Sequence, residues 1–371
     1  MVRMLTETFA PGAAGGREPT RVVKLLGTVA SATACVLVGG CYYVQAASGE
    51  WQVLHERVPI EKVIDDPHTS EALRTHLEKE RAARDFASRE LGLPDNKSYR
   101  SYADIHRSFV AWNVVAAPEF SVQPKTWCFP VAGCVAYRGY FHEQEARDYA
   151  AHLAAVEGYD VTVDGVPAYS TLGRFSDPVL SSMLPYGDDE LAATVFHELA
   201  HQLLYVRDDS EFNEAFATTV EEVGLERWLK YQGEEARIGR YERVQAEREV
   251  FYGLLAQTRA QLRVLYASDM PREEMRERKA VIFHNLAGDV RGLGSRKGAT
   301  ESVYEEWLAG GLNNARLASI ATYFNCVPGF KRLLASEDND LERFYSAARE
   351  LSKEPREKRD AQLCEKRESG G

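Results

Sequence analysis

The sequence has few basic side chains for its length and few cysteines. Among 371 residues, 45 are Lys or Arg and 56 are Asp or Glu, giving a formal net charge of −11. Nucleic-acid phosphates require a basic surface, so we expect no nucleic-acid partner. None of the six cysteines occurs in a Cys-x-x-Cys pair, which argues against a zinc site built from thiolates. No internal repeat is present.

The chain also lacks a long apolar run. The apolar stretch at residues 25–40 has sixteen positions, fewer than the about twenty that a spanning helix needs. Basic residues precede it, and small residues lead from it into Cys41, as in a bacterial lipobox. We therefore predict that residues 1–40 are a lipoprotein signal peptide and that Cys41 is lipidated, with an uncleaved membrane anchor as the alternative.

This leader places the rest of the chain outside the cytoplasm. Tyr42, where an aspartate would direct retention, favours lipid anchoring in the outer membrane of the bacterial envelope, facing the periplasm. Residues 1–40 carry four basic and two acidic side chains, so the remainder has a formal charge of −13. Such a charge favours solubility without identifying a substrate.

Four cysteines remain beyond Cys41, as expected in an oxidising compartment. Four cysteines allow three pairings. Short loops close readily, so Cys128–Cys134 and Cys326–Cys364 are the simplest pairs. The alternative is that all four are free, buried thiols.

The motif that the chain does contain is His-Glu-Leu-Ala-His at residues 197–201. Two histidines four positions apart lie on one face of a helix, because 3.6 residues make one turn. Together with a carboxylate from a following helix, His197 and His201 would form the open, three-ligand site of a catalytic zinc. Glu198 would then be the base that takes a proton from zinc-bound water.

The third ligand must come from beyond residue 201. A metzincin would have glycine and histidine three and six positions further on, but Leu204 and Arg207 stand there. Glu214, thirteen positions after His201, is favoured because a helical hairpin returns the first turns of the next helix toward that histidine. Glu211 and Glu221 remain alternatives. If Glu214 binds zinc, Glu221 is expected to orient a histidine from behind.

The wider pattern predicts an α+β fold that is mostly helical, with a zincin-like core, a small sheet next to the motif helix and a helical C-terminal part. Helices are expected over residues 70–91, 143–157 and 301–323, and strands within 108–122, 131–141 and 159–163, with a turn at 164–165. We expect one peptidase domain at 41–371, organised as a helical part to about 105, a sheet-containing part to about 185, active-site helices at 188–230 and a helical part at 231–371.

Other side chains are candidates for supporting the reaction. A tetrahedral intermediate needs a donor for its oxyanion, and Tyr323, Tyr137 and Arg138 are the candidates for that role or for substrate contact. Residues 169–175 lie just before the motif helix and are candidates for the cleft wall.

Several segments resemble a family of bacterial proteins described as predicted aminopeptidases. His-Glu-Leu-Ala-His-Gln followed by Asn-Glu-Ala-Phe-Ala is also similar to the gluzincin aminopeptidases, whose spacer is longer. The resemblance implies a membrane-attached zinc metallopeptidase acting on peptides. The matching segments are residues 127–130, 137–141, 169–173, 177–178, 212–214 and 313–317.

One departure bears on the exopeptidase activity that the resemblance implies. The gluzincin aminopeptidases hold the substrate amine with a glutamate in Gly-x-Met-Glu-Asn, and this chain has no such segment. A buried ammonium needs a carboxylate partner, and Glu119 is a candidate. A zinc endopeptidase and a non-enzymatic, zinc-containing envelope lipoprotein are the alternatives. The presence of Glu198 argues against the latter, because a structural zinc site needs no base.

Overall fold

The computed structural model describes residues 42–129, 133–295 and 301–364, and the chain divides into two units, residues 1–48 and 49–371. The described part of the first unit, residues 42–48, is helical. The predicted signal peptide and Cys41 lie outside the described residues. No helix within the described ranges combines the length and the apolar character that membrane crossing requires.

The second unit begins with helices and the edge of a small sheet. Helix α3 (Glu71–Arg89) starts where predicted, because the Ser70 side chain accepts a hydrogen bond from the Leu73 amide. It stops before Gly92, whose φ of +67° suits a residue without a Cβ. The elements are α1 (residues 49–56), β1 (Val58–Pro59), α2 (Ile60–Asp65), α3 (Glu71–Arg89) and β2 (Ser101–Ala103).

The larger sheet is antiparallel throughout, and its strands have the order β6 (Arg138–Tyr140), β3 (Ala111–Pro118) and β7 (Tyr159–Val166). Helix α4 packs against β3 and β7, and it ends at Gly158, which adopts the left-handed conformation. The elements are β3 (Ala111–Pro118), β6 (Arg138–Tyr140), α4 (Glu143–Glu157) and β7 (Tyr159–Val166).

The turn predicted at residues 164–165 is wrong. Asp164 and Gly165 continue β7 and pair with Asn113 and Trp112 of β3. Strand β3 has eight residues, and pairing with all of them keeps β7 extended through the two residues whose sequence favours a turn. A Cβ on Gly165 would lie 2.4 Å from the Phe109 ring, so the glycine here allows a close side-chain approach.

Two further sheets are small. Strands β1, β2 and β8 (Val179–Leu180) form one of them, in which β2 and β8 run parallel. The strand predicted over 131–141 is divided between β5 (Gly133–Val135), which pairs with β4 (Trp127–Phe129), and β6. A disulfide joins the facing residues Cys128 and Cys134 across β4 and β5. A second disulfide joins Cys326 and Cys364.

The remainder is helical, as the prediction of a mostly helical α+β fold requires. After a 3-10 segment, Ser181–Tyr186, come α5 (Asp188–Leu203), α6 (Ser210–Tyr231), α7 (Glu235–Tyr266), α8 (Arg272–Ser295), α9 (Glu301–Ala309), α10 (Asn314–Phe324), α11 (Val327–Ser336), α12 (Leu341–Ser352) and α13 (Arg356–Leu363).

One expectation for the C-terminal part is corrected. The single helix predicted over 301–323 is two helices, because the chain breaks at Gly310 and Gly311 and Gly311 has a φ of +79°. Beyond α10, α12 and α13 pack into the core, where Phe344 and Leu363 are buried.

The buried apolar side chains form two main clusters. One joins α3, α5, α6 and α11 to α13. The other joins α7, α8, α9 and Leu317 of α10. Helix α10 contacts β3, β7, α6 and α7, so it links the larger sheet to the helices of the first cluster.

Candidate metal centre

Helix α5 carries both motif histidines on its buried side. Its first turn holds three acidic residues, which complement the positive end of the helix dipole. Asp188 is paired with Lys79 at 2.5 Å, and Asp189 is paired with Arg237. These ion pairs attach the start of α5 to α3 and α7.

Helix α6 is fixed to α5 by short-range contacts. The Asn213 side chain bonds both the amide and the carbonyl of Val206 at 2.7 Å, which closes the connection between the helices. Asp209 caps α6 by accepting from the Phe212 amide, and it is buried against Arg359. A Cβ on Gly224 would lie 2.9 Å from Phe196, so the glycine allows the helices to approach closely.

Three predicted ligands converge between these helices. Donor atoms of His197, His201 and Glu214 all lie within 4.8 Å of one another. The two Nε2 atoms approach the same oxygen, Glu214 Oε2, at 3.3 Å from His197 and 3.7 Å from His201. Glu214 stands in the second turn of α6, where the hairpin brings it back over the end of α5.

A fourth side chain lies behind this group. His197 Nδ1 is 2.9 Å from Glu221 Oε2, two turns beyond Glu214 on the same face of α6. With a metal bound, this carboxylate would accept a hydrogen bond from Nδ1–H, which fixes the tautomer that has a free lone pair on Nε2. The Nδ1 atom of His201 is buried and has no hydrogen-bond partner among the described residues.

The charges of the group are strongly coupled. Burial alone lowers the pKa of His197, but the Glu214 and Glu221 carboxylates outweigh it and raise that pKa well above its usual value. Burial alone raises the pKa of Glu214, and the two imidazoles reverse the effect, so its pKa lies well below the usual range. The site therefore holds Glu214 as a carboxylate.

Glu198 interacts electrostatically with the three donor residues but is not itself one of the donors. Burial raises the pKa of its carboxyl group, and the imidazoles of His197 and His201 partly oppose that effect. The negative charges of Glu214 and Asp177 raise the pKa further. A carboxyl group whose pKa is shifted toward neutrality is suited to exchange protons.

The residues present fit a zinc ion. Two imidazole nitrogens and one carboxylate oxygen are the donor types of a catalytic zinc site, and three protein ligands leave a coordination position for water or substrate. The Nδ1 contact from His197 to Glu221 is the kind of partner that zinc-binding histidines have.

Other predicted residues lie elsewhere or are engaged. Glu211, an alternative ligand, is 3.5 Å from Arg356. Glu119, the candidate for binding an ammonium group, forms ion pairs with Arg272 and Arg276 of α8.

Two of the three predicted oxyanion donors have described contacts beside the larger sheet. Tyr137 packs against Val115 and Ala117 of β3. The Arg138 guanidinium lies over the ring of Tyr149, 4.5 Å from its centroid. Tyr323 falls in α10, and its side chain lies outside the described part of the structure.

The structure adds two residues that the sequence reasoning missed. Tyr99 and Asp177 are buried, and the negative charge of Glu198 acts on the Tyr99 hydroxyl. Asp177 lies in the Asp-Pro segment at 177–178, which is one of the segments that resemble the aminopeptidase family. The sequence therefore contained a signal for this residue. Tyr99 carries no comparable signal, because its position depends on contacts with segments more than seventy residues away.

Comparison with known proteins gives one match. The sequence matches the family described as "Putative aminopeptidase" over residues 41–363, which is most of the chain. No curated protein and no solved structure matches it significantly.

Proposed function

The chain belongs to the family described as "Putative aminopeptidase", and from this membership and the site geometry we propose that it is a zinc-dependent peptidase with a zincin-type core. The family indicates peptidase activity. The observation that carries the zinc assignment is the convergence of His197, His201 and Glu214 within 4.8 Å, with Glu198 beside them.

In this proposal each residue has one role. His197, His201 and Glu214 hold the metal. When bound, zinc acts as a Lewis acid on the peptide carbonyl and makes water more acidic. Glu198 takes a proton from the water that attacks the carbonyl carbon and delivers it to the leaving nitrogen, as the C–O bond forms and the C–N bond breaks.

Glu221 acts through His197. By accepting a hydrogen bond from Nδ1–H at 2.9 Å, it fixes the ring orientation and the tautomer that presents Nε2 to the metal. Its negative charge also increases the basicity of the imidazole. Glu221 is therefore a positioning residue rather than a ligand in this proposal.

The substrates we propose are peptides with a free N-terminus. This choice rests on the family, because the carboxylate expected to bind the ammonium group, Glu119, is occupied by two arginines. A zinc endopeptidase is the second candidate, and peptides with blocked N-termini separate the two. We further propose that the chain is lipid-anchored through Cys41 and acts in the periplasm, since residues 25–41 have the pattern of a lipoprotein signal.

The first experiment tests the site with Glu198→Gln. The protein from residue 42 onward is purified, its zinc content is measured, and hydrolysis of a peptide library with free and acetylated N-termini is followed by mass spectrometry. We expect stoichiometric zinc in wild type and variant, with the hydrolysis rate of the variant lower by about 10²–10⁴-fold. Glu226→Gln, which alters an exposed carboxylate paired with Lys230 on α6, is the matched control and should behave as wild type.

The outcomes are distinct. Cleavage of free but not acetylated peptides identifies an aminopeptidase, and cleavage of both identifies an endopeptidase. Zinc bound without cleavage by the wild type favours the non-enzymatic envelope role. Absence of zinc from the wild type overturns the proposal.

A further inference from the structure

Large apolar side chains are exposed where the unit of residues 49–371 begins. Trp51 of α1 is 64% exposed, and the ring of His55 is stacked on it at a centroid distance of 4.7 Å. Val58, just after α1, is 41% exposed. Single exposed apolar residues are common on folded proteins, so these two alone do not indicate an interaction surface.

A third exposed apolar side chain belongs to the segment that lies beside α1. The Tyr169 hydroxyl donates to the Glu50 carboxylate at 2.5 Å. Near the other end of the helix, Arg57 donates to the Ser176 carbonyl at 2.8 Å, so α1 is bound to this segment at both of its ends. Phe175, next to Ser176, is 51% exposed. The N-terminal patch consists of Trp51, Val58 and Phe175.

Basic side chains flank the N-terminal patch. Arg57 and Arg174 are both exposed, in a chain whose formal net charge is −11. Glu56 lies near them, and its carboxylate accepts a hydrogen bond from Gln52 at 3.1 Å. Arginine can lie along an apolar surface while its guanidinium reaches a phosphate group. Exposed apolar side chains with a tryptophan among them and arginines at the edge are typical of a surface that rests in the headgroup region of a bilayer.

The position of the N-terminal patch in the chain points to a bilayer as its partner. Trp51 is the tenth residue after Cys41, the proposed site of lipid attachment. Ten residues span at most about 35 Å even when fully extended. The patch of an anchored molecule therefore stays within that distance of the lipid headgroups. Its own affinity for lipid can be low, because the anchor makes the second contact intramolecular.

We propose that the N-terminal patch docks on the surface of the membrane that holds the lipid anchor, with Trp51 and Phe175 in the headgroup region. The inference rests on the lipid anchor of the proposed function. Transfer of the Trp51 side chain into the headgroup region removes apolar surface from water, which stabilises the docked orientation. The segment that carries Phe175 also approaches the motif helix, because a Cβ on Gly173 would lie 3.3 Å from the Gln202 side chain. Docking would therefore fix the orientation of the motif helix relative to the membrane.

Quenching of tryptophan emission by brominated lipid tests the docking. The acylated protein is reconstituted in vesicles of phosphatidylethanolamine and phosphatidylglycerol, with or without bromine on the upper part of the acyl chains. Bromine quenches only tryptophans that enter the bilayer. We expect the wild type to lose emission in the brominated vesicles and Trp51→Phe, which keeps four of the five tryptophans, to lose none.

A second reporter and a matched control use the Trp51→Phe protein as background. Phe175→Trp in this background should restore the quenching, because position 175 belongs to the N-terminal patch. Tyr231→Trp moves the reporter to an aromatic position of similar exposure, 62%, and should not be quenched. Tyr231 is the last of the 22 residues of α6, a helix about 33 Å long that begins next to the end of α5 where Gln202 stands.

The docking and the anchor on which it rests fail in different ways. If an acylated wild type shows no more quenching than Trp51→Phe, the molecule is tethered without docking and the proposal is overturned. Equal quenching of the reporters at 175 and 231 overturns it as well, because the molecule then has no preferred orientation. A Trp51 that aqueous acrylamide cannot quench before reconstitution is covered by another part of the chain or by a second copy, which excludes the bilayer as its partner. An unmodified Cys41 in the mass of the purified protein overturns the anchor itself, and the docking with it.

Discussion

Two helical hairpins of this chain have similar construction but bury different kinds of side chain. The metal hairpin, formed by α5 and α6, has titratable side chains such as His201 and Glu214 in the interface between its helices. The fully buried Leu199 lies beside them. The long hairpin, α7 and α8, fills its interface with apolar residues such as Leu262 and Leu286. On α8, the ion pairs of Arg276 with Glu273 and of Arg278 with Glu274 lie at the surface.

The difference supports the proposal that the α5–α6 hairpin carries the reaction. Placing an ionisable group in an apolar interface is unfavourable unless the group is paired or binds a metal. In the metal hairpin, the unfavourable burial of Glu214 is offset by two neighbouring imidazoles. The burial of His197 is offset by two neighbouring carboxylates. The long hairpin has no comparable cluster among the described residues, so its effect on the site should be confined to support.

The largest effect is expected from removing a ligand of the metal hairpin. In His201→Gln the side chain keeps a similar size but loses the imidazole, so the protein should no longer retain stoichiometric zinc. Hydrolysis should fall by about a thousand-fold or more, because a bound metal contributes several kcal/mol to such reactions. Metal analysis after dialysis and peptide hydrolysis are the measurements.

His284→Gln on α8 is the matched control. The same chemical change on the long hairpin should leave zinc content and hydrolysis as in the wild type, since His284 lies by Phe283 and Lys279 near the larger sheet rather than at the centre. If both variants lose zinc equally, the distinction between the hairpins is wrong.

Features within single helices could be predicted from the sequence, whereas contacts between distant segments could not. The spacing of His197 and His201, and the helix limits set by Ser70 and Gly158, depend on neighbours a few residues away. Their physical causes, helix periodicity, capping and positive φ, are local and can be read from the chain.

The misses depend on contacts between distant segments. Glu119 could not be judged from sequence, since its partners on α8 are more than 150 residues away. Gly165 has the sequence of a turn residue, and only its pairing with β3 keeps it in a strand. Tyr99 was not recognised because its backbone is held by a hydrogen bond to the distant Asp177 carbonyl.

An intermediate effect is expected from Glu221→Gln. The amide can still contact His197 Nδ1, but without the negative charge that orients the ring and increases its basicity. Loss of such a partner lowers zinc affinity by about 10–100-fold. Competition with a chromogenic chelator measures this affinity, and Glu242→Gln, an exposed change on α7, is the control. Unchanged affinity in Glu221→Gln would mean that the contact to His197 does not serve the metal.

The smallest effect on the site is expected from a cavity in the long hairpin. Leu262 and Leu199 are both fully buried, one in each cluster, so Leu262→Ala and Leu199→Ala make the same chemical change in the two hairpins. Each should lower the free energy of unfolding by about 2–5 kcal/mol in urea denaturation. Only Leu199→Ala should also weaken zinc binding, because Leu199 lies between His197 and His201 on α5 and its loss lets the ligand-bearing turn shift. Equal weakening by Leu262→Ala would show that the long hairpin shapes the metal site directly, which its separate apolar cluster argues against.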